Sequence, residues 1–306
     1  MKIIFMGTPE FAVKPLEALS HKHEIVAVCT QIDKVNARGK KIIYSPVKAW
    51  ACNNNVKVLQ YSSIRKEGVS DLLSLKADLI VTCAFGQILS SEILNSSKYG
   101  VINIHSSLLP KYRGASPISE SLKNGDKTTG ITIMQTSVGM DEGDILLQQG
   151  IQIEENDNSI TVSNKLSEIG ATLITEVCDN IEFYLKNKQV QNNEIATYCK
   201  KFSKEDAHIN FTEDAKTVVN KIKAYALSPT AFFYLDGLRF KVFNATISDF
   251  SGNAGEVLFS DKENGIIIAC GKKSIKITEL QPPNGKVMNA KAFLNGKTLN
   301  VGSVAS

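Results

Sequence analysis

The stretch VINIHSSLLPKYRG, residues 101–114, sets an amide and an imidazole two positions apart in an otherwise apolar run. Side chains alternate along a strand, so Asn103 and His105 share one face. They sit just where the strand leaves its sheet, and open α/β sheets bind ligands at the carboxyl edge. A single histidine near a strand end is commonly a satisfied core residue. The amide beside it changes the balance, because two polar groups on one face of a buried strand each need partners. A further polar group stands in SVGMDEGDILLQQ, where Asp141 and Asp144 flank a glycine ahead of another strand. That glycine would let the backbone bend a carboxylate toward the sheet edge. Taken alone, this segment reads as an ordinary acidic turn.

Other chemistries fit poorly. GTPEFA, residues 7–12, stands where a dinucleotide fold carries three glycines, but only Gly7 is present and Pro9 replaces the second. The backbone could not approach a pyrophosphate there, so NAD is not expected. Thr8 and Pro9 read as a helix cap and first helical residue. No G-x-S-x-G elbow occurs, which argues against a serine hydrolase. The six cysteines form no CxxC pair, so neither a zinc site nor a disulfide framework is expected. Scattered free thiols fit a reducing, cytoplasmic setting. No apolar run reaches the roughly 18 residues of a membrane span, and MKIIFMGTPEF reads as a first strand and turn rather than a leader.

The elements that must position these groups are legible in the hydrophobic pattern. Short β-rich runs at 2–6, 24–30, 57–60, 78–83 and 101–104 alternate with helical patterns. That alternation predicts an α/β, Rossmann-like, mostly parallel sheet. Residues 130–135 and 145–153 read as closing strands, and a long helix capped by Ser159 should end near KNKQ. The texture then changes to short alternating strands with Asp-Gly and Asn-Gly turns, as in a small OB-like β-barrel. The expected division is a catalytic domain over 1–188, a linker over 189–206 and the barrel over 207–306. Charge divides similarly. Residues 200–306 hold 15 Lys+Arg and 10 Asp+Glu, against 20 and 21 in the remainder. A basic C-terminal third suggests a polyanionic partner.

Asn103-x-His105, followed by SLLPKYRGASPI and by GMDEGDIL with Asp141, resembles the folate-dependent formyltransferases. The segments IIFMGTPEFAV, ARGKKIIYSPVK, AFGQILSSEIL and ELQPPNGKVMNAKAFLNG extend the resemblance over the whole chain. The RGKK loop and QPPNGKVM narrow it to the branch that formylates methionyl-tRNA.

The resemblance implies that Asn103, His105 and Asp141 are catalytic. An amine would attack the formyl carbon of 10-formyltetrahydrofolate, with N–H groups of Asn103 and His105 aimed at the developing oxyanion. Asp141 would orient His105 and help remove the proton. No metal is implied. The folate co-substrate is placed along Ser107, Leu108, Leu109 and Pro110, and along Phe85, Gly86, Gln87, Ile88 and Leu89.

Residues 31–45, QIDKVNARGKKIIYS, make a long basic connection between a strand and its helix, where 2–6 residues are usual. Arg38, Lys40 and Lys41 are expected to meet the phosphates of initiator methionyl-tRNA. In the barrel, Lys272, Lys273, Lys276, Lys286 and Lys291 would add to that contact. Nothing calls for a second copy, so a monomer without membrane attachment is expected. Two other readings compete. One keeps the trio but formylates a small amine, such as an amino sugar nucleotide or a glycinamide ribonucleotide, or hydrolyses formyl-folate. The other is a nucleic-acid-binding module with an inert α/β half.

Overall fold

The computed structural model describes residues 1–35 and 42–306. Two compact units emerge, each gathered from three stretches of chain. The first takes residues 1–117, 129–151 and 163–199, and the second takes 118–128, 152–162 and 200–306.

The first unit is built on β1 (Lys2–Gly7), β2 (Glu24–Thr30), a small hairpin of β3 (Lys34–Val35) and β4 (Ile42–Ile43), β5 (Val58–Gln60), β6 (Leu79–Cys83) and β7 (Val101–His105). There follow β8 (Arg113–Gly114), β9 (Thr128–Gln135), β10 (Ile145–Gln152) and β11 (Tyr198–Cys199). Seven strands form one sheet in the order β10-β9-β7-β6-β1-β2-β5. Its centre is parallel, and β9 runs antiparallel against β7. Strands β1 and β6 are buried almost throughout, as apolar strands covered on both faces must be.

Helical patterning is borne out at Val13–Ser20, Pro46–Asn53, Ile64–Glu67 and Val69–Ser74. Two local expectations are corrected. Pro9 occupies the N-cap position of a 3-10 turn over Glu10–Ala12, and the Thr8 hydroxyl instead accepts the Gln31 N–H. Ser159 is not the cap of the long helix: Asn158 Oδ1 accepts from the N–H groups of Ile160 and Thr161. The Ser159 hydroxyl accepts from Leu227 N–H. The helix itself is interrupted, running over Ser159–Asp179 and resuming at Ile181–Lys186.

The second unit carries β12 (Phe232–Leu235), β13 (Leu238–Ser248), β14 (Val257–Asp261), β15 (Gly265–Ala269), β16 (Ser274–Gln281) and β17 (Met288–Asn289). These pair antiparallel in the order β12-β13-β16-β15-β14, with β17 on β16. Asp236 and Gly237 join β12 to β13 at φ 51° and 73°, the positive angles that a two-residue hairpin turn requires. The chain's last residues close the two edges of this half-barrel. Ser306 and Tyr234 exchange backbone hydrogen bonds, Ala305 N–H donates to Gly255 O, and Val257 N–H donates to Ser303 O.

All six cysteines are free thiols. Burial pushes Cys29, Cys178 and Cys270 up to about 12, which keeps them protonated and inert near neutrality. No described helix is long and apolar enough to cross a membrane.

Candidate active site

Strand β7 has two different faces. Ile104 is buried, with its Cγ2 where a Cβ on Gly170 of the long helix would come within 3.2 Å. That helix therefore covers the isoleucine face. Asn103 and His105 alternate onto the opposite face, where loop segments around 112–114 and 136–144 meet them.

The Asn103 amide is oriented from the neighbouring strand. Thr82 pairs with Asn103 in register, and its hydroxyl donates to Asn103 Oδ1 at 2.9 Å. The amide nitrogen must then point the other way, and it lies 3.5 Å from Asp141 Oδ1. This long contact leaves donor capacity for another acceptor.

His105 is 5% exposed, and its Nε2 lies 2.9 Å from the Tyr112 carbonyl. A carbonyl only accepts, so Nε2 carries a hydrogen. The imidazole atom facing the carboxylate is Nδ1, 3.6 Å from Asp141 Oδ2. Of the two N–H donors expected for an oxyanion, the amide of Asn103 is open, whereas His105 Nε2–H is engaged with Tyr112. An Nδ1–H on His105 would face Asp141 Oδ2.

Asp141 is held in an uncommon conformation. Its φ is 52°, a left-handed setting that costs a non-glycine residue about 1–3 kcal/mol. Three contacts hold it. Gly114 N–H donates to Oδ2 at 2.8 Å, and the Gln191 amide donates to the carbonyls of Asp141 and Gly143 at 2.9 and 2.7 Å. Gly114 sits at φ 114°, and a Cβ there would lie 2.2 Å from Cys199 O. Only glycine lets this backbone approach both β11 and the carboxylate. Asp144, the other carboxylate of the same turn, faces away to Lys188 at 2.9 Å.

The residues just after SLLP are thus part of the site, a role that sequence reasoning missed. Tyr112 supplies a carbonyl to His105, and Gly114 supplies an N–H to Asp141. Arg113, whose side chain is 1% exposed, donates to Gln191, Asn193 and Tyr198. A basic residue beside glycine in this segment was visible. Gln191 carried no signal, because it stands in the polar stretch expected to be a linker.

The segments expected to meet folate divide into inward and outward residues. Phe85 is buried in the core, and Leu89 packs against the same cluster. The Gln87 side chain accepts from Ile64 N–H at 2.7 Å and donates to Tyr61 O at 2.9 Å, tying down a helix start. Gly86, at φ 78°, and Ile88, 71% exposed, face outward. In SLLP, Ser107 Oγ donates to Lys111 O, Leu109 N–H donates to Thr132, and Gln148 donates to Leu109 O. The Leu108 side chain packs toward Gly130 and Gly150. Pro110 follows a cis peptide bond, and its carbonyl accepts from Thr197 N–H. An apolar side chain left open beside a glycine turn suits the flat face of a pterin, so the residues present fit the co-substrate.

Arg38, Lys40 and Lys41 lie outside the described residues. The hairpin stem that brackets them is anchored through Asp33, which accepts from Lys48 and Gln60. These hydrogen bonds, Lys48 first, hold the Asp33 carboxyl below the usual carboxylate range. In the second unit Lys272, Lys276, Lys286 and Lys291 are exposed, whereas Lys273 pairs with Asp249 at 2.8 Å. No group of three or more metal-ligating side chains occurs among the described residues.

An amide donor, an imidazole and a carboxylate on the face of an α/β sheet define an enzyme suited to charge building on a carbonyl oxygen. The chain belongs to the formyl transferase family: the formyl transferase model matches residues 1–178, and the formyl transferase C-terminal domain model matches 201–298. It is 41% identical over 297 residues to a methionyl-tRNA formyltransferase of Carboxydothermus hydrogenoformans, covering 97% of this chain and 96% of that one. Among solved structures it resembles HypX from Aquifex aeolicus in complex with tetrahydrofolic acid (TM-score 0.65, 17% identity), covering 96% of this chain and 47% of HypX. An N-formyltransferase from Helicobacter canadensis, in complex with folinic acid and dTDP-3-aminofucose, is similar at TM-score 0.64 and 21% identity, covering 90% of this chain and 99% of that one. The likeness to these two structures is one of fold.

Proposed function

We infer that this enzyme transfers the formyl group of 10-formyltetrahydrofolate to the α-amine of methionyl-tRNA. The observation that carries the acceptor is the 41% identity to a methionyl-tRNA formyltransferase, sustained across both the N-terminal and C-terminal family segments.

The amine nitrogen attacks the formyl carbon, and the carbonyl electrons move onto oxygen. Asn103 Nδ2, its carbonyl end tied to Thr82, donates to that oxygen. The nitrogen loses a proton toward the acceptors facing one another across the site, Asp141 Oδ2 and His105 Nδ1. Imidazolium formed there turns its Nδ1–H toward Asp141 Oδ2 and sets a positive charge beside the oxyanion. Collapse of the tetrahedral centre expels the folate nitrogen, which takes up a proton, and leaves a formamide on the methionyl group. A preorganised donor of this kind is worth about 3–4 kcal/mol in the transition state.

The pterin stacks near Ile88 and the Gly86 turn, and the acceptor stem meets the basic connection containing Arg38, Lys40 and Lys41. The exposed lysines of the second unit offer the tRNA a second electrostatic contact. Along the polar stretch 189–206, residues through Cys199 stay with the catalytic unit and the tRNA-holding segment resumes at Lys200, and the enzyme acts as a cytoplasmic monomer.

Purified protein given 10-formyltetrahydrofolate should formylate methionyl-tRNA, and His105→Ala should abolish turnover while retaining tRNA binding. Formylation of an amino sugar nucleotide but not of methionyl-tRNA would overturn the acceptor assignment. Activity surviving in His105→Ala would overturn the chemistry.

A further inference from the structure

We propose that Gln191 is a positioning residue for the reaction: through its side-chain amide it holds the backbone of the Asp141 turn in the conformation that aims the carboxylate. This rests on the reading of Asp141 as a catalytic group. Gln191 lies 50 residues downstream of Asp141, in a stretch with the composition of a connector.

The amide's orientation follows from chemistry. Arg113 has donors only, and both its Nε and a terminal nitrogen point at one Gln191 atom, at 3.1 and 2.9 Å. That atom must be the acceptor, Oε1. The other end of the amide is therefore the NH₂ group, and its hydrogens go to the carbonyls of Asp141 and Gly143. Gln191 is 6% exposed and Arg113 1%, so water does not compete for these bonds. The two carbonyls bracket Glu142, and the first belongs to the residue at positive φ. Pinning both fixes the peptide planes on either side of the turn. The carboxylate is then set from two directions, by Gly114 N–H on its oxygen and by Gln191 on its own backbone.

The segment carrying Gln191 is itself firmly attached. Gln189 and Ile145 exchange backbone hydrogen bonds at 2.8 Å, and Lys188 pairs with Asp144. Farther on, Asn193 Oδ1 accepts from Arg113 at 2.7 Å, and Thr197 accepts from the N–H groups of Tyr112 and Arg113. One strap thus touches both flanks of the Asp141 turn and the backbone of the KYRG segment.

The two ends of the amide can be tested separately. Gln191→Glu keeps an acceptor for Arg113 and removes the donors to the turn; Gln191→Ala removes both. Because small misplacements of a reacting group cost up to about 100-fold, both variants should lower kcat by about 10- to 100-fold. KM for methionyl-tRNA and for 10-formyltetrahydrofolate should stay within about twofold. In an Asp141→Asn background, Gln191→Glu should add no further loss. Wild-type kcat in Gln191→Glu would overturn the proposal, since satisfying Arg113 would then suffice. Losses that multiply with Asp141→Asn would overturn it as well. If Asp141→Asn alone leaves kcat unchanged, the failure lies with the catalytic reading of Asp141 itself.

Discussion

Thr82 and Asn103 are paired in register on adjacent parallel strands, and the Thr82 hydroxyl takes the amide oxygen of Asn103 at 2.9 Å. This one bond decides which end of the amide faces Asp141. With Oδ1 occupied, Nδ2 is the end left free to donate, as the proposed mechanism requires of it.

Thr82→Val keeps the side-chain shape and removes that bond, freeing the amide to flip. Turnover should fall by about 3- to 30-fold, less than the roughly 100- to 1,000-fold expected for deleting a donor outright. KM for either substrate should change little, because no binding contact is lost. Steady-state formylation kinetics test this, and an unchanged kcat would remove Thr82 from the account.

The AFGQIL loop offers a sharper test of the proposed folate contact. Ile88 is open to solvent, whereas Gln87 spends both ends of its amide on Ile64 and Tyr61. Ile88→Asp should raise KM for 10-formyltetrahydrofolate by about tenfold, the equivalent of about 1.4 kcal/mol, with melting temperature unaffected. Gln87→Ala should do the reverse, lowering thermal stability by about 1–3 kcal/mol with folate KM nearly constant. Folate KM that responds to Gln87 and ignores Ile88 would invert the assignment.

Asp33 predicts an acid sensitivity confined to the small hairpin. Hydrogen bonds from Lys48 and Gln60 lower its pKa in the folded state. The stabilisation is fully present above the unfolded carboxylate value of about 3.9, and it is lost as pH falls through the lower folded value. A carboxyl-detected NMR titration should give a midpoint below about 3.9, with loss of the Lys34–Ile43 and Val35–Ile42 backbone pairing on protonation. Asp33→Asn should abolish that step. A midpoint at or above the ordinary value would contradict the anchoring role.

Much of this was readable from local pattern. Alternation of two and of roughly four residues located the strands and helices, and the parity of a strand put Asn103 and His105 on one face. Residues whose roles run through backbone atoms far away in sequence were not readable. Tyr112 contributes a carbonyl, Gly114 an N–H and Gln191 an amide donor, and no side-chain periodicity announces such contributions. Gln87 and Leu108 show a different kind of gap. Their positions in segments expected to meet folate were legible, but the direction of their side chains, toward Tyr61 and Ile64 and toward Gly130 and Gly150, was not. Direction depends on packing partners that a single strand of text does not reveal.

The interleaving of the two compact units bears on how this enzyme can be taken apart. The second unit includes residues 118–128 and 152–162, drawn from between segments of the first. A cut after Cys199 would leave those two stretches on the wrong fragment, without the remainder of their own unit. The second unit is therefore no detachable cassette. Exchanging that unit between relatives would require grafting three separate pieces of chain in concert, a constraint that favours gradual change at the surface over wholesale exchange of modules.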